Sequence, residues 1–408
     1  MKYLYILQQA LVWLLLIFWI YQVVISFCAL IKIKDKPLKI KKKHKFMAII
    51  PAHNEEIVIR NLIKSLKEVD YPKELYDIYV IADNCTDTTA TIAKEEGAFV
   101  YERHDEKHKT KGYALNWFLD KKIKEDVDYD AFCVFDADNI VDPNFFNAMN
   151  KKLCQGETVV QGYKDIKNPT DSWISAGYAL FYWTQHKFYQ LARYNCGLSP
   201  LMNGTGFMVK FDLIKETGWN TKTLTEDIEF SLINISKGNK LGWATDAIVY
   251  DEQPTTFGQS WSQRIRWTIG HIQCFKFYTK DLAKGVVKNK TMTNLDGLLY
   301  IMCIPIFVIS IILTVVNIIL YLMSQMTFGL MLWNVVKYLL LAYVLLIFTA
   351  IVTLVVEKRS IKKMLKGIIT YPIFMASWVV VNFVSLFKRN AKWDKIEHNK
   401  NIDIAEIK

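Results

Sequence analysis

The sequence predicts a doubly wound, mostly parallel α/β domain attached to an α-helical membrane domain. Three observations predict it. Short apolar strands alternate with helical patterns over roughly residues 46–163. Polar residues of unusual type stand at the ends of those strands. Four long apolar runs flank the whole block, one before it and three after.

Taken in order, residues 3–31 form the first run, almost uncharged and long enough to cross a core of ~30 Å at about 1.5 Å per residue. It is too long for a signal peptide and no small-residue cleavage pattern follows it. A basic linker follows at 32–45, with Lys32, Lys34, Lys36, Lys39, Lys41, Lys42, Lys43 and Lys45. Positive charge beside a span is retained in the cytoplasm, which places the globular block there and the N-terminus outside. The net charge of +11 is therefore assigned to the membrane. It is not a nucleic-acid footprint, because the lysines abut a span and have no interleaved aromatics.

Within the globular block, residues 46–50 read as a strand ending at Pro51. Residues 55–69 carry Ile59, Leu62, Ile63 and Leu66 at helical spacing. A second strand spans 78–83, and a helix from 87 to 96 is capped by Thr86 or Asp87 and stopped by Gly97. A third strand spans 131–138 and a fourth 159–163. Ligands of such sheets bind beyond the carboxyl ends of the strands, where His53, Asn54 and Glu55, then Asp83, Asn84 and Asp87, then Asp136 and Asp138 are found.

Asp136-Ala137-Asp138 after a buried strand suits a divalent cation on a diphosphate, with alternate residues aimed to one side. A helix-capping turn before Pro143 is the plainer reading. Thr225-Glu226-Asp227 heads an apparent helix, and a capping box explains its acids as well as chemistry does. Lys111-Gly112 offers a point charge with close backbone approach, or a solvated lysine. Residues 270–288 are amphipathic and basic, either an interfacial helix or a soluble one. The seven cysteines are scattered without a CxxC pair or zinc spacing, which predicts reduced, structural thiols.

The last runs are 298–323, 328–356 and 364–387. The segment 357–363 between the final two is basic and expected in the cytoplasm. A full crossing by 364–387 would put Lys388, Arg389, Lys392 and Lys395 outside, against the charge rule. That segment also holds Pro372, so an interfacial or re-entrant helix with a cytosolic tail is slightly favoured.

PAHNEE at 51–56, DAD at 136–138, TED at 225–227 and QRIRW at 263–267, in this order and against a membrane, resemble the membrane-bound family 2 glycosyltransferases. That inverting group includes cellulose, chitin, hyaluronan and poly-N-acetylglucosamine synthases. The resemblance covers roughly residues 46–275 and implies a GT-A-type fold. It implies that Asp227 is the catalytic base, with Glu226 and Asp138 beside it in catalysis. Donor contacts fall to Pro51, His53, Glu55, Asp83, Lys111, Asp136 and Arg266. Acceptor contacts fall to Gly204, Thr205, Gln263 and Trp267, although an isolated Trp at this place reads as a membrane anchor. Arg264 is left for the membrane surface. Asp136 and Asp138 would hold Mg2+ or Mn2+.

The implied reaction passes a hexose from a UDP-sugar to a growing polysaccharide. UDP-glucose to a β-glucan is the first choice, followed by poly-β-N-acetylglucosamine and then hyaluronan. A non-processive transferase to a lipid-linked acceptor is the rival. The expected setting is a bacterial-type plasma membrane, with a multi-pass chain and a cytoplasmic catalytic domain. Expected boundaries are an N-terminal helix (1–31), the basic linker (32–45), a catalytic domain (46–267), amphipathic interface helices (268–297), membrane or interfacial helices (298–387) and a polar tail (388–408). Three features depart from cellulose synthases: no FxVT gating-loop pattern follows QRIRW, there are fewer N-terminal spans, and the short tail implies no regulatory domain and no cyclic-dinucleotide control.

Overall fold

The computed structural model describes residues 2–31, 42–324 and 327–388. Most of the basic linker (32–41) and the tail from 389 onward lie outside the described residues. Eight strands form one sheet: β1 Phe46–Ala52, β2 Tyr76–Asp83, β3 Phe99–Arg103, β4 Ala131–Val134, β5 Ile140–Val141, β6 Val159–Ile166, β7 Phe207–Lys210 and β8 Gly242–Asp251, in the order β3-β2-β1-β4-β7-β6-β8-β5.

The two halves of the sheet are built differently. β3, β2, β1 and β4 are parallel, with Ile50 opposite Val80 and Ile49 opposite Val134. β7 then runs antiparallel between β4 and β6, while β6 and β8 are again parallel. The expected mostly parallel sheet is thus a mixed one. Alternate residues of β1 feed two cores, as a pleated strand requires. Phe46, Ala48 and Ile50 pack with helices Ile59–Lys67 and Phe145–Cys154. Met47 and Ile49 pack with helices Lys111–Lys124, Phe211–Thr217 and Glu226–Ser236.

One boundary is corrected. The third strand was expected to continue to Asp138, but it ends at Val134. Phe135 to Asp138 turn away, closed by the Asn139 amide donating to the Asp136 carbonyl at 3.0 Å. The two aspartates therefore converge through a turn and not through strand alternation.

Helix Phe257–Asn289 is continuous and carries QRIRW in its early turns, so the expected boundary at 267 falls inside one helix. Arg264 does not face the membrane surface. It is fully buried, its guanidinium lies 4.9 Å from the Phe374 ring and 5.2 Å from the Trp378 ring, and Nη1 donates to Ser377 Oγ at 2.7 Å.

Among the described residues, four helices are long and apolar enough to cross a membrane: Lys2–Leu30, Cys303–Met323, Phe328–Val356 and Leu365–Phe387. The first packs on the second, where Gln8 Nε2 donates to Asn317 Oδ1 at 2.7 Å. The third packs on the fourth, where Tyr343 OH donates to the Ile369 carbonyl at 3.0 Å. A buried ion pair is hydrogen-bonded to the first helix and so ties it to the sheet domain. Arg193 Nε donates to Asp296 Oδ2 at 2.9 Å, and Tyr21 OH and Gln22 Oε1 complete the network.

Candidate active site

The ends of β1 and β2 form one wall of a hollow. Pro51 lies within β1. His53 Nδ1 lies 2.6 Å from the Asp83 carbonyl, so Nδ1 carries the proton. Glu55 donates its amide to Thr89 Oγ1 at 2.8 Å and starts the following helix with its carbonyl. Asn54 and Asn84 adopt left-handed backbone, with φ of 58° and 52°. Their side-chain oxygens accept from the amides of Thr86 and Asp105, so both build turns. Asp83 is buried, and Arg103 Nη1 meets its Oδ1 at 2.5 Å. Burial pushes the Asp83 carboxyl above its ordinary range, and Arg103 only partly offsets this.

The floor holds three carboxylates. Asp136, Asp138 and Asp251 present ligand oxygens within 4.8 Å of one another. Asn139 Nδ2 steers Asp251 from 2.8 Å and Gln253 Nε2 from 2.6 Å. Burial raises the Asp251 carboxyl to about 6; Lys164 pulls it down while Asp138 and Asp136 push it up. Hard oxygen donors crowded against their mutual repulsion are what a divalent cation relieves, so this set fits Mg2+ or Mn2+.

The second wall comes from the loop before β7 and the start of helix Glu226–Ser236. The capping-box reading fails here. Thr225 makes no side-chain cap, and Glu229 is the acid that ties down the preceding loop, accepting from the Lys222 and Thr223 amides at 2.8 and 2.6 Å. Glu226 and Asp227 are left facing the hollow. Burial, then Asp227, raises Glu226 to about 7 against the pull of Lys111. Asp227 is also raised by burial, tempered by the Ile228 amide, Lys111 and Lys164.

Lys111 joins the floor to the second wall. Its Nζ lies 2.5 Å from Asp136 Oδ1 and 2.6 Å from the Gly204 carbonyl. Burial works against its charge, but Asp136, Glu226 and Asp227 outweigh it. Gly204, at φ 83°, sits so close to Asp227 that a Cβ built on it would lie 3.6 Å from Oδ2. Thr205 Oγ1 accepts from the Asp136 amide at 3.0 Å. Arg266 is lowered by burial, with Glu226, Asp136 and Asp227 pulling it back up, so it faces the same acids. Gln263 Oε1 is buried without a partner. Trp267 belongs to an aromatic wall, 6.5 Å from Tyr182 and 6.4 Å from Trp378, centroid to centroid.

Sequence reasoning missed several residues. Asp251, the third carboxylate, closes β8, and the strand-end rule applied there would have found it. Lys164 lies 3.4 Å from Asp251 and 3.9 Å from the Tyr182 ring centroid. Gln161, fully buried, accepts from the Asn203 amide and donates to the Thr205 carbonyl, both at 2.8 Å. Gln190 and His186 hold the Asn203 side chain at 3.1 Å each from a π-helical turn, His186–Leu191. Burial, then Lys164, keeps His186 well below the ordinary histidine range. A buried Gln, Lys or His in an apolar helix or strand carries no local signal of its target.

Comparison with known proteins agrees with this geometry. Residues 44–270, more than half the chain, match the family model described as "Glycosyltransferase like family 2". "Probable glycosyltransferase YdaM" of Bacillus subtilis (strain 168) is 27% identical over 385 residues, covering 88% of this chain and 87% of that protein. A poly-beta-1,6-N-acetyl-D-glucosamine synthase of Staphylococcus epidermidis is 23% identical, covering 88% and 89%. The beta-monoglucosyldiacylglycerol synthase of Nostoc sp. is 30% identical over 262 residues, covering 60% of this chain and about half (52%) of that protein. Among solved structures, the mannosyltransferase PcManGT from Pyrobaculum calidifontis, in complex with GDP-Man and Mn2+, superposes with a TM-score of 0.63 at 15% identity. It covers 93% of this chain and 99% of its own, a likeness of fold. A GT-A-like mixed sheet, a hollow ringed by acids and a family match over the whole catalytic domain lead to one conclusion: the chain belongs to glycosyltransferase family 2 and is a glycosyltransferase carrying helices of membrane-spanning character.

Proposed function

We propose that the chain is an inverting, divalent-cation-dependent β-hexosyltransferase that takes a UDP-sugar at the cytoplasmic face of a plasma membrane and extends a β-linked glycan. The observation that carries this reading is the single hollow in which Asp227 stands beside Gly204 and Lys111, while Lys111 bonds Asp136 of the carboxylate cluster. Asp136, Asp138 and Asp251 would hold the cation, which when bound supplies charge neutralisation for the leaving diphosphate.

The chain's own residues do the rest. Asp227 accepts the proton of the acceptor hydroxyl as that oxygen bonds the anomeric carbon. The bond from that carbon to the donor phosphate oxygen breaks on the opposite face, and its electron pair leaves on the nucleoside diphosphate. Lys111 and Arg266 are placed to meet the growing phosphate charge. Arg103 holds Asp83, with His53, where the base and ribose would lie. Trp267 and Tyr182 offer flat apolar faces for a sugar ring.

Extension of a polymer is favoured over a single transfer because a poly-N-acetylglucosamine synthase relative matches over 88% of this chain and 89% of its own length. The glucolipid synthase relative matches over 60% of the chain and supports the second reading, a lipid acceptor. Glucose and N-acetylglucosamine are the two donor sugars to compare.

Membranes containing the full chain, given radiolabelled UDP-glucose or UDP-N-acetylglucosamine with Mn2+, should release UDP and form a high-molecular-weight product. A product the size of one glycolipid would instead select the second reading. Asp227→Asn should lower UDP release by roughly 10³-fold, within the range for loss of a general base. Full activity in that variant would remove Asp227 from the reaction.

A further inference from the structure

Helix Leu365–Phe387 is apolar and long enough to cross a bilayer, yet it stays against the catalytic domain along its length. Gly367 lies on Ala176, and Phe374 lies on Gly177 so tightly that a Cβ there would come within 2.5 Å of the ring. Ser377 Oγ accepts from Arg264, and Asn382 Oδ1 accepts from Thr268 Oγ1 at 3.1 Å. Val381 packs with Ile265 and Ile269. From Gly367 to Asn382 these contacts cover about 22 Å of axis at 1.5 Å per residue. Their partners are helices Trp173–Gln185 and Phe257–Asn289, which build the active site.

The preceding helix behaves as a crossing helix should. Phe328–Val356 touches the domain only near its end, where Thr353 Oγ1 meets Thr184 Oγ1 at 2.9 Å and Ala350 and Leu354 are buried. Phe328, Trp333, Tyr338, Leu339 and Leu340 are exposed. The connection between the two helices is pinned to the catalytic domain. Tyr163 OH donates to Glu357 Oε2 at 2.7 Å, and Arg359 Nη2 meets Asp165 Oδ2 at 2.6 Å while its guanidinium lies over the Trp183 ring.

The face turned away from the domain is an apolar stripe. Leu365, Ile369, Ile373, Val379, Val380, Phe383 and Phe387 are all exposed and, at 100° per residue, fall within about 120° of the helix circumference. The residues facing protein (Gly367, Tyr371, Phe374 and Val381) lie on the opposite side.

We infer that this helix lies in the plane of the membrane leaflet on the catalytic side, with the stripe in the acyl chains. The occupant of the stripe is lipid hydrocarbon. Among the described residues three helices then cross the bilayer, and Lys388, at the end of this one, stays on the same side as the catalytic domain. Lys388 then lies on the side that retains positive charge, in keeping with the charge rule. The inference rests on the membrane reading and not on the identity of the donor or acceptor.

Two measurements on the full chain test it. With an epitope tag after Lys408, protease added to inverted vesicles should remove the tag and digest the catalytic domain together, and protease added to right-side-out vesicles should spare both. Tag and domain cut from opposite sides would overturn the inference. For depth, Ile373→Cys and Phe383→Cys are spin-labelled in a serine-for-cysteine background that still releases nucleoside diphosphate. An in-plane helix gives equal quenching by lipid-borne relaxants at both sites. A spanning helix separates them by about 15 Å of depth, which would refute the placement. Loss of lipid contact at both sites with crosslinking between two copies would assign the stripe to a dimer and also refute it. UDP release in the tagged chain is read separately, so failure of the transferase reading leaves the topology result standing.

Discussion

The two halves of the sheet solve the same problem by different means. In the parallel half, each site residue follows its own strand within a few positions, and local turns aim it. Asn54 and Asn84 take left-handed backbone, Asp87 accepts from the Thr89 amide, and Asp83 is held by Arg103 from the next strand. In the other half, Gly204 and Gly206 also take left-handed backbone, but side chains from distant elements hold the turn. The loop 203–205 is placed by buried side chains: Gln161 from β6, and Gln190 and His186 from a π-helical turn. Asp251 reaches the carboxylate cluster from β8, where Asn139 spans 112 residues to steer it. The difference teaches that the wall at the ends of β1 and β2 is assembled by local rules, and the opposite wall and the third carboxylate by tertiary props.

The comparison breaks most readily at Asp251. If it is a third ligand, Asp251→Asn should cost ~100-fold or more in nucleoside diphosphate release at low Mn2+, at or beyond the cost of losing a supporting partner of a metal ligand. Added Mn2+ should recover part of the loss. A Mn2+ titration that superimposes on the unaltered chain would leave the cluster with two ligands.

A smaller effect sharpens the contrast between props and turns. Gln161→Leu leaves the Asn203 amide and the Thr205 carbonyl without their partner, at about 1–3 kcal/mol for each buried group. It should lower kcat by around tenfold with little change in KM for the donor. Asp83→Asn, in the parallel half, should do the opposite and raise donor KM with kcat nearly kept. Steady-state kinetics on both variants decides whether the halves divide the work in this way.

The pH profile tests the coupling between the acids. Glu226 is raised to about 7, and Asp227 is raised as well. A raised carboxyl takes up its proton as pH falls through that value, so a base in this pair loses activity on the acid side of neutrality. Glu226→Gln removes the neighbouring negative charge. The acid limb of kcat/KM should then move to lower pH, and an unmoved limb would uncouple the two residues.

The smallest effect belongs to a single turn. Asn84→Ala places an alanine at φ 52° and should cost about 1–2 kcal/mol of stability, read as a fall in Tm with the pH profile unchanged.

What was legible follows the same division. β1, β2 and the start of β4 are near-continuous apolar runs, so their ends, and Asp83 and Asp136 with them, could be located. The continuation of β4 to Asp138 misled because Phe135 is as apolar as a strand residue, and pairing with both β1 and β7 stops at Val134, where the turn begins. β7 has four residues, too few to show a period. β8 loses its alternation to a bulge, since Gly162 pairs with Ala244 and Tyr163 with Ile248. The role of Glu226 and Asp227 could not be separated from capping until Glu229 was seen to take the structural task.

By itself, the order of residues determined which chemistry the chain carries and which segments prefer hydrocarbon to water. Acidic pairs, QRIRW and long apolar runs are written locally, and composition over one or two dozen residues is enough to reveal them. Only the tertiary structure decided which acids meet, which glutamine positions a loop, and which face of an apolar helix touches protein. A helix that is apolar all round looks the same in sequence whether its second face meets lipid across the bilayer or along it; packing against Gly177, Arg264 and Thr268 breaks that degeneracy.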